Sequence, residues 1–145
     1  MADAPTPEQL NARLAKSPFN AWLKLAVTKI EGDTIEMTAG WREEWVVNAE
    51  RGYTHGGILA ALVDVVADYA IAAKNGMPVP TIDLRVDYHR AAKGDMRCVG
   101  KLVRLGSQFT TAEAYVYDAS GALCASGRGT YFTAPPAPPA AKPAA

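Results

Sequence analysis

Along most of this chain apolar and polar residues alternate in short runs, and in one long stretch the alternation stops. Ala21 to Ile30 and Thr34 to Thr38 read as two strands joined by a Glu31-Gly32-Asp33 turn, a hairpin. A third run, Trp41 to Val47, precedes a loop from Asn48 to Thr54. Further on, Thr81 to Tyr88 sets Ile82, Leu84, Val86 and Tyr88 against Asp83, Arg85 and Asp87, the period of a strand with two unlike faces. Met96 to Leu105, Phe109 to Tyr117 and Ala122 to Phe132 follow. They are separated by Gly106-Ser107-Gln108 and by Asp118 to Gly121.

The stretch without alternation predicts a helix. It starts near His55 or Gly56 and ends near Lys74, where Asn75-Gly76 is a C-terminal stop followed by Pro78 and Pro80. Ile58 to Ala73 is apolar right round the helix, so every side calls for burial. One antiparallel sheet wraps part of such a helix, and a second copy of the chain covers the rest; at least a dimer is expected. Pro7 to Lys16 predicts a short helix with Thr6 as N-cap and Pro7 in the first helical position. A few strands, one long helix and a four-strand meander make an α+β fold with the helix packed on a curled antiparallel sheet. The domain reading is an N-terminal segment over 1–20, the folded domain over 21–133 and an extended Ala/Pro tail over 134–145.

Composition narrows the function. The 145 residues are 49% hydrophobic, 21% charged and 8% aromatic, which is one globular domain. Fifteen Lys+Arg against fifteen Asp+Glu give zero net charge, so no global field draws nucleic acid or an anionic membrane. Cys98 and Cys124 lack metal-type spacing and read as reduced thiols of a cytoplasmic protein. The first residues lack the basic and apolar regions of a signal peptide. Asp64 and Asp68 interrupt the longest apolar run, which is shorter than the ~20 residues that span a bilayer. With two histidines, no P-loop, no dinucleotide glycine fingerprint and no Gly-x-Ser-x-Gly elbow, neither a metal nor another cofactor is expected.

Two features can carry chemistry. Asp64 and Asp68 are four apart on one face of an apolar helix, where an ionised carboxylate is costly without partners. Two readings stay open: a site, or carboxylates that reach solvent at an edge or pair with an arginine. His55-Gly56-Gly57 opens the helix, where first-turn N–H groups point outward and favour negative charge. The plain alternative is a Gly-rich turn. Seven residues of helix separate Gly57 from Asp64, about 10 Å, so one chain cannot hold both against a single atom. Two chains packed antiparallel can.

Asn48, Thr54-His55-Gly56-Gly57, Leu62-Val63-Asp64, Thr81-Ile82-Asp83-Leu84 and Tyr88-His89-Arg90-Ala91 with Gly94-Asp95 resemble the hotdog-fold acyl-CoA thioesterases of the PaaI-type, phenylacetyl-CoA thioesterase-like branch. The resemblance covers about Trp41 to Phe132. It implies a hotdog fold, one central helix wrapped by a curled sheet, and hydrolysis of acyl-CoA to free acid and CoA. It places the catalytic carboxylate on Asp64, as general base or nucleophile, and the oxyanion amide on Gly57. His55 fixes the loop or touches the thioester end, Asn48 is the asparagine before the motif, and Thr81 positions the water. Asp68 matches no family catalytic position.

Between Arg85 and Arg104 lie six basic residues (Arg85, Arg90, Lys93, Arg97, Lys101, Arg104) and two acids (Asp87, Asp95). In similar enzymes the segments holding Arg90 and Lys93, and Arg104, Gly106 and Ser107, bind the nucleotide and pantetheine parts of CoA; the alternative is a solvated sheet face. His89 reads as a solvated loop residue, and Tyr53, Tyr69 and Met77 as neighbours of the pocket mouth. Aryl groups such as phenylacetyl or hydroxybenzoyl, or a medium-chain acyl group, fit the resemblance. A homodimer or homotetramer with shared sites is implied. A hotdog hydratase or dehydratase using His55 with Asp64, or a non-catalytic acyl-CoA binding module, are the alternatives.

Overall fold

A computed structural model describes residues 3–135, 139–141 and 144. The chain forms α1 (Pro7–Lys16), α2 (Pro18–Trp22), β1 (Ala26–Glu31), β2 (Thr34–Ala39), a 3-10 turn (Glu43–Trp45), β3 (Val46–Asn48), β4 (Tyr53–Thr54), α3 (Gly56–Asn75), β5 (Thr81–Tyr88), β6 (Met96–Arg104), β7 (Phe109–Tyr117) and β8 (Leu123–Phe132). Six strands make one antiparallel sheet in the order β1-β2-β6-β7-β8-β5, and β3 pairs only with β4. α3 lies across the sheet, the hotdog arrangement of one central helix in a curled antiparallel sheet. By length and hydropathy alone α3 would pass for a membrane span, but it is the core helix of this sheet.

The local reasons are visible in the residues. The Thr6 hydroxyl accepts from the Gln9 amide (3.3 Å) while the Gln9 side chain accepts from the Thr6 amide (2.9 Å), a capping box that starts α1 at Pro7. α1 buries Leu10 and Leu14 in the common core. Its Asn11 side chain donates to the Val27 carbonyl (3.0 Å) and accepts from the Val27 amide (2.7 Å), where the β1–β2 register shifts. That contact covers one sheet edge as another strand would. α3 approaches the sheet so closely that a Cβ on Gly100 would lie 2.5 Å from the Val66 carbonyl oxygen. β7 alternates buried Thr110, Ala112, Ala114 and Val116 with residues facing out, as a strand over a helix must.

Several expectations change. The strand predicted over Ala21 to Ile30 begins at Ala26, because Pro18 starts a helical turn that runs through Trp22. Trp41 to Val47 is mostly not strand: Trp45 turns into the core through the 3-10 turn while Glu43 and Glu44 stay exposed. The boundary drawn at 20/21 falls inside α2. Most of the tail expected over 134–145 lies outside the described residues. α3 is not buried on every side within one chain, since Ala60, Ala61, Asp64 and Asp68 form a half-buried stripe leading from exposed Gly57.

Candidate active site

Asp64 lies mid-helix on that stripe. Its Oδ1 accepts from the Thr81 hydroxyl at 2.8 Å and has the Tyr131 hydroxyl at 3.2 Å. That hydroxyl is also 3.0 Å from the Asp64 carbonyl oxygen. Oδ2 has no donor among the described residues. Thr81 opens β5 and pairs in register with Tyr131 of β8, so two strands deliver two hydroxyls to one carboxylate oxygen. Asp68, one turn on, accepts from the Val79 amide at 2.8 Å and so ties the connection before β5 to the helix. Burial, and then the Asp64 charge, push its carboxyl up to about 7, against the pull of the Val79 N–H. Neither carboxylate pairs with an arginine among the described residues.

The helix N-terminus is organised separately. His55 is the N-cap, and its Nδ1 accepts from the Gly57 amide at 2.8 Å. A neutral ring therefore carries its proton on Nε2. The Gly56 carbonyl accepts from the Tyr88 hydroxyl at 3.0 Å, so the Gly56–Gly57 peptide is held at both ends. Gly57, the amide expected to face an oxyanion, is thus already committed, and the Gly56 N–H makes no hydrogen bond among the described residues. An adjoining cleft of about 380 Å³ is lined by Val47, Tyr53, Leu59, Tyr88 and Arg90, with Gly56 in its wall. Gly56 and Asp64 are eight helical residues apart, about 12 Å, so one chain does not hold both against a single atom.

The thioesterase superfamily model matches residues 51–125, which include both Gly56 and Asp64. The chain belongs to the thioesterase superfamily. A crystal structure from the same superfamily is 46% identical, with a TM-score of 0.84 over 87% of this chain and 96% of that one. The medium/long-chain acyl-CoA thioesterase YigI of Escherichia coli is 25% identical over 131 residues, 79% of this chain and 84% of that protein. A Halobacterium salinarum relative is 38% identical over 90 residues, 55% of this chain, and the match spans 60% of that relative's length.

Placed on this member of the superfamily, the remaining candidate residues divide. Asn48 is exposed, and its Oδ1 accepts from the Glu50 (3.0 Å) and Arg51 (3.1 Å) amides of its own loop. It bonds to neither Gly56 nor Asp64. Arg90 and Lys93 lie at the Gly56 end of the sheet, with the Lys93 ammonium 5.7 Å from the Tyr53 ring centre. Arg104, Gly106 and Ser107 sit at the other end of β6, about 26 Å away at strand spacing. That is the Asp64 end, where the Gly106 carbonyl accepts from Thr133, just past Tyr131. Arg85 pairs with Asp87, and the Arg97 guanidinium covers the Tyr117 ring, the solvated face that the basic excess allowed. Tyr53 lines the cleft, Tyr69 is buried in the core and Met77 is exposed beyond α3.

Sequence reasoning missed Tyr131, the Tyr88 contact with Gly56, and the Asp68 contact with Val79. The signal for Tyr131 was its place on the inward face of β8, since a buried tyrosine hydroxyl needs a partner.

Proposed function

We propose that this protein hydrolyses acyl-CoA thioesters to the free acid and CoA, using two sites shared between the chains of a homodimer. Asp64 carries the reading: a carboxylate in an apolar helix with one oxygen anchored by hydroxyl donors and the other without a donor among the described residues. Oδ2 takes a proton from water as the hydroxyl attacks the thioester carbonyl. The Gly56 N–H of the second chain stabilises the oxyanion, the C–S bond breaks, and the thiolate leaves as thiol with that proton. Thr81, whose O–H donates a hydrogen bond to Asp64, still offers oxygen lone pairs to the water. The cleft beside Gly56 suits a pantetheine arm, with Arg90 and Lys93 toward the phosphates.

Pairing is supported by the edges of the sheet. α1 covers β1, whereas among the described residues β5 pairs on one side only, with β8, and exposes Ile82 and Tyr88. β5 runs antiparallel to α3, with Thr81 at Asp64 and Tyr88 at Gly56. Two β5 edges paired antiparallel would bring each Asp64 toward the other chain's Gly56. The aryl groups of the resemblance and the medium or long chains named for YigI are the acyl candidates. Two free, buried thiols, Cys98 and Cys124, support a cytoplasmic setting.

The test is thiol release from aryl- and aliphatic-CoA by wild type and Asp64→Asn. Turnover that falls by two or more orders of magnitude in a folded variant is the expected result. Near-normal turnover in Asp64→Asn would remove the carboxylate from the mechanism, and CoA binding without thiol release would favour a binding module. An enoyl-CoA hydrated in preference to acyl-CoA hydrolysis would favour the hydratase. For that reading His55 is poorly placed, with Nδ1 already taken by the Gly57 amide.

A further inference from the structure

The hydroxyl of Tyr131 belongs to neither half-site as the sequence describes them. Tyr131 is fully buried on β8, 67 positions from Asp64, yet its hydroxyl reaches both the carbonyl oxygen (3.0 Å) and Oδ1 (3.2 Å) of that residue. The ring fits because residue 129 is glycine: a Cβ there would stand 2.5 Å from the Tyr131 hydroxyl oxygen. β8 therefore gives up a side chain two residues earlier to make room for this one. The Thr81 hydroxyl meets the same Oδ1 from β5. Both donors converge on one oxygen, and its twin has no donor among the described residues.

We propose that Tyr131 is a positioning residue for the reaction, which with Thr81 anchors Oδ1 of Asp64 so that Oδ2 alone faces the water. The proposal rests on the hydrolytic reading of Asp64. A carboxylate on a helix turns about two side-chain bonds, and a base free to rotate spends less of its time aligned with the attacking water. The ionisable groups beside Asp64 are Tyr131, from β8, and Asp68, one turn on along α3. Burial and both carboxylates keep the phenol protonated, so it remains a donor throughout the working range.

The test is Tyr131→Phe, which removes the hydroxyl and keeps the ring. Both kcat and KM are measured alongside Asp64→Asn and the double variant. We expect kcat about tenfold lower with KM little changed. The loss should vanish in the Asp64→Asn background. Gly129→Ala, which leaves the tyrosine present but pushes its ring aside, should lower kcat with KM little changed in the same way, and it decides the question if Tyr131→Phe does not fold. A kcat within twofold of wild type, or a loss that persists in the Asp64→Asn background, would show that the hydroxyl serves only the Asp64 main chain. An active Asp64→Asn would instead fail the hydrolytic reading itself.

Discussion

Asp68 gives the sharpest forecast about stability. Its carboxyl is pushed up to about 7, chiefly by burial and further by Asp64. An unfolded chain gives up that proton near pH 4. Between about pH 4 and 7 the folded state thus holds a proton that the unfolded state has lost. Stability must fall as pH rises through this window, by about 1.4 kcal/mol per unit at most, and level off above it. The full window is worth up to about 4 kcal/mol, and partial solvent access at the half-buried side chain brings a realistic figure to about 2 kcal/mol. Asp68→Asn removes the charge, while its side-chain oxygen can still accept from Val79. The variant should match wild type at pH 4 and exceed it by about 2 kcal/mol at pH 8. Urea unfolding at each pH, at fixed protein concentration, measures the difference. Carboxylates shifted downward elsewhere, such as Glu113 beside Arg128, contribute equally to both proteins and cancel. A constant difference from pH 4 to 8, or a less stable variant at pH 8, would refute the argument. The second outcome would mean that the charged bond to Val79 outweighs desolvation.

Shared sites can be tested by complementation. Gly56→Pro deletes the proposed oxyanion N–H at the first helical position, where proline is favoured and His55 already has extended backbone (φ −57°, ψ 136°). It should cost a factor of about 10² to 10³ in kcat. Mixing it with Asp64→Asn under exchanging conditions should restore activity, because a heterodimer holds one intact site; no recovery would place each site within one chain. Thr6→Ala should cost about 1 kcal/mol in urea unfolding by removing the capping box of α1, whereas an unchanged midpoint would mean that Leu10 and Leu14 alone hold that helix.

Periodicity found the long elements because each has one environment along its length. β6, β7 and β8 each lie across α3, and α3 itself has clear signals at both ends, the His55 cap and the left-handed Gly76 (φ 91°). The errors fell where the environment changes within a few residues. Ala21 to Leu25 reads as apolar strand, yet it contains the end of α2 and a reversal through Lys24 (φ 51°) that tucks Leu23 and Leu25 inward. Among the candidate site residues, Asp64 stood out because a charge in an apolar helix demands an explanation, whereas Thr81 was placed only by the family resemblance; the structure sets the two 2.8 Å apart. Which of the Gly56 and Gly57 amides is already bonded within the described residues was not legible. It depends on which amide the His55 ring captures, a one-residue matter of helix start. Tyr131 was hidden by distance along the chain, since only the β5–β8 register sets it beside Thr81.

The separation of the two proposed half-sites follows from the helix itself. An amide can face an oxyanion only in the first turn, where no carbonyl one turn back takes it. A carboxylate poised by neighbours must sit deeper, where strands can reach it with hydroxyls. A straight helix then keeps donor and base about 12 Å apart, whatever the loops do. β5 follows the same axis in reverse, bonding Tyr88 to the donor peptide and Thr81 to the base. β5, which pairs only with β8 among the described residues, therefore has the Asp64 group behind one end and the Gly56 peptide behind the other. In the proposed homodimer, antiparallel pairing of that strand with its copy would set unlike ends against each other and complete two sites through one contact. On that arrangement, substitutions that weaken the β5 edge should lower activity together with association, without touching any group that meets substrate.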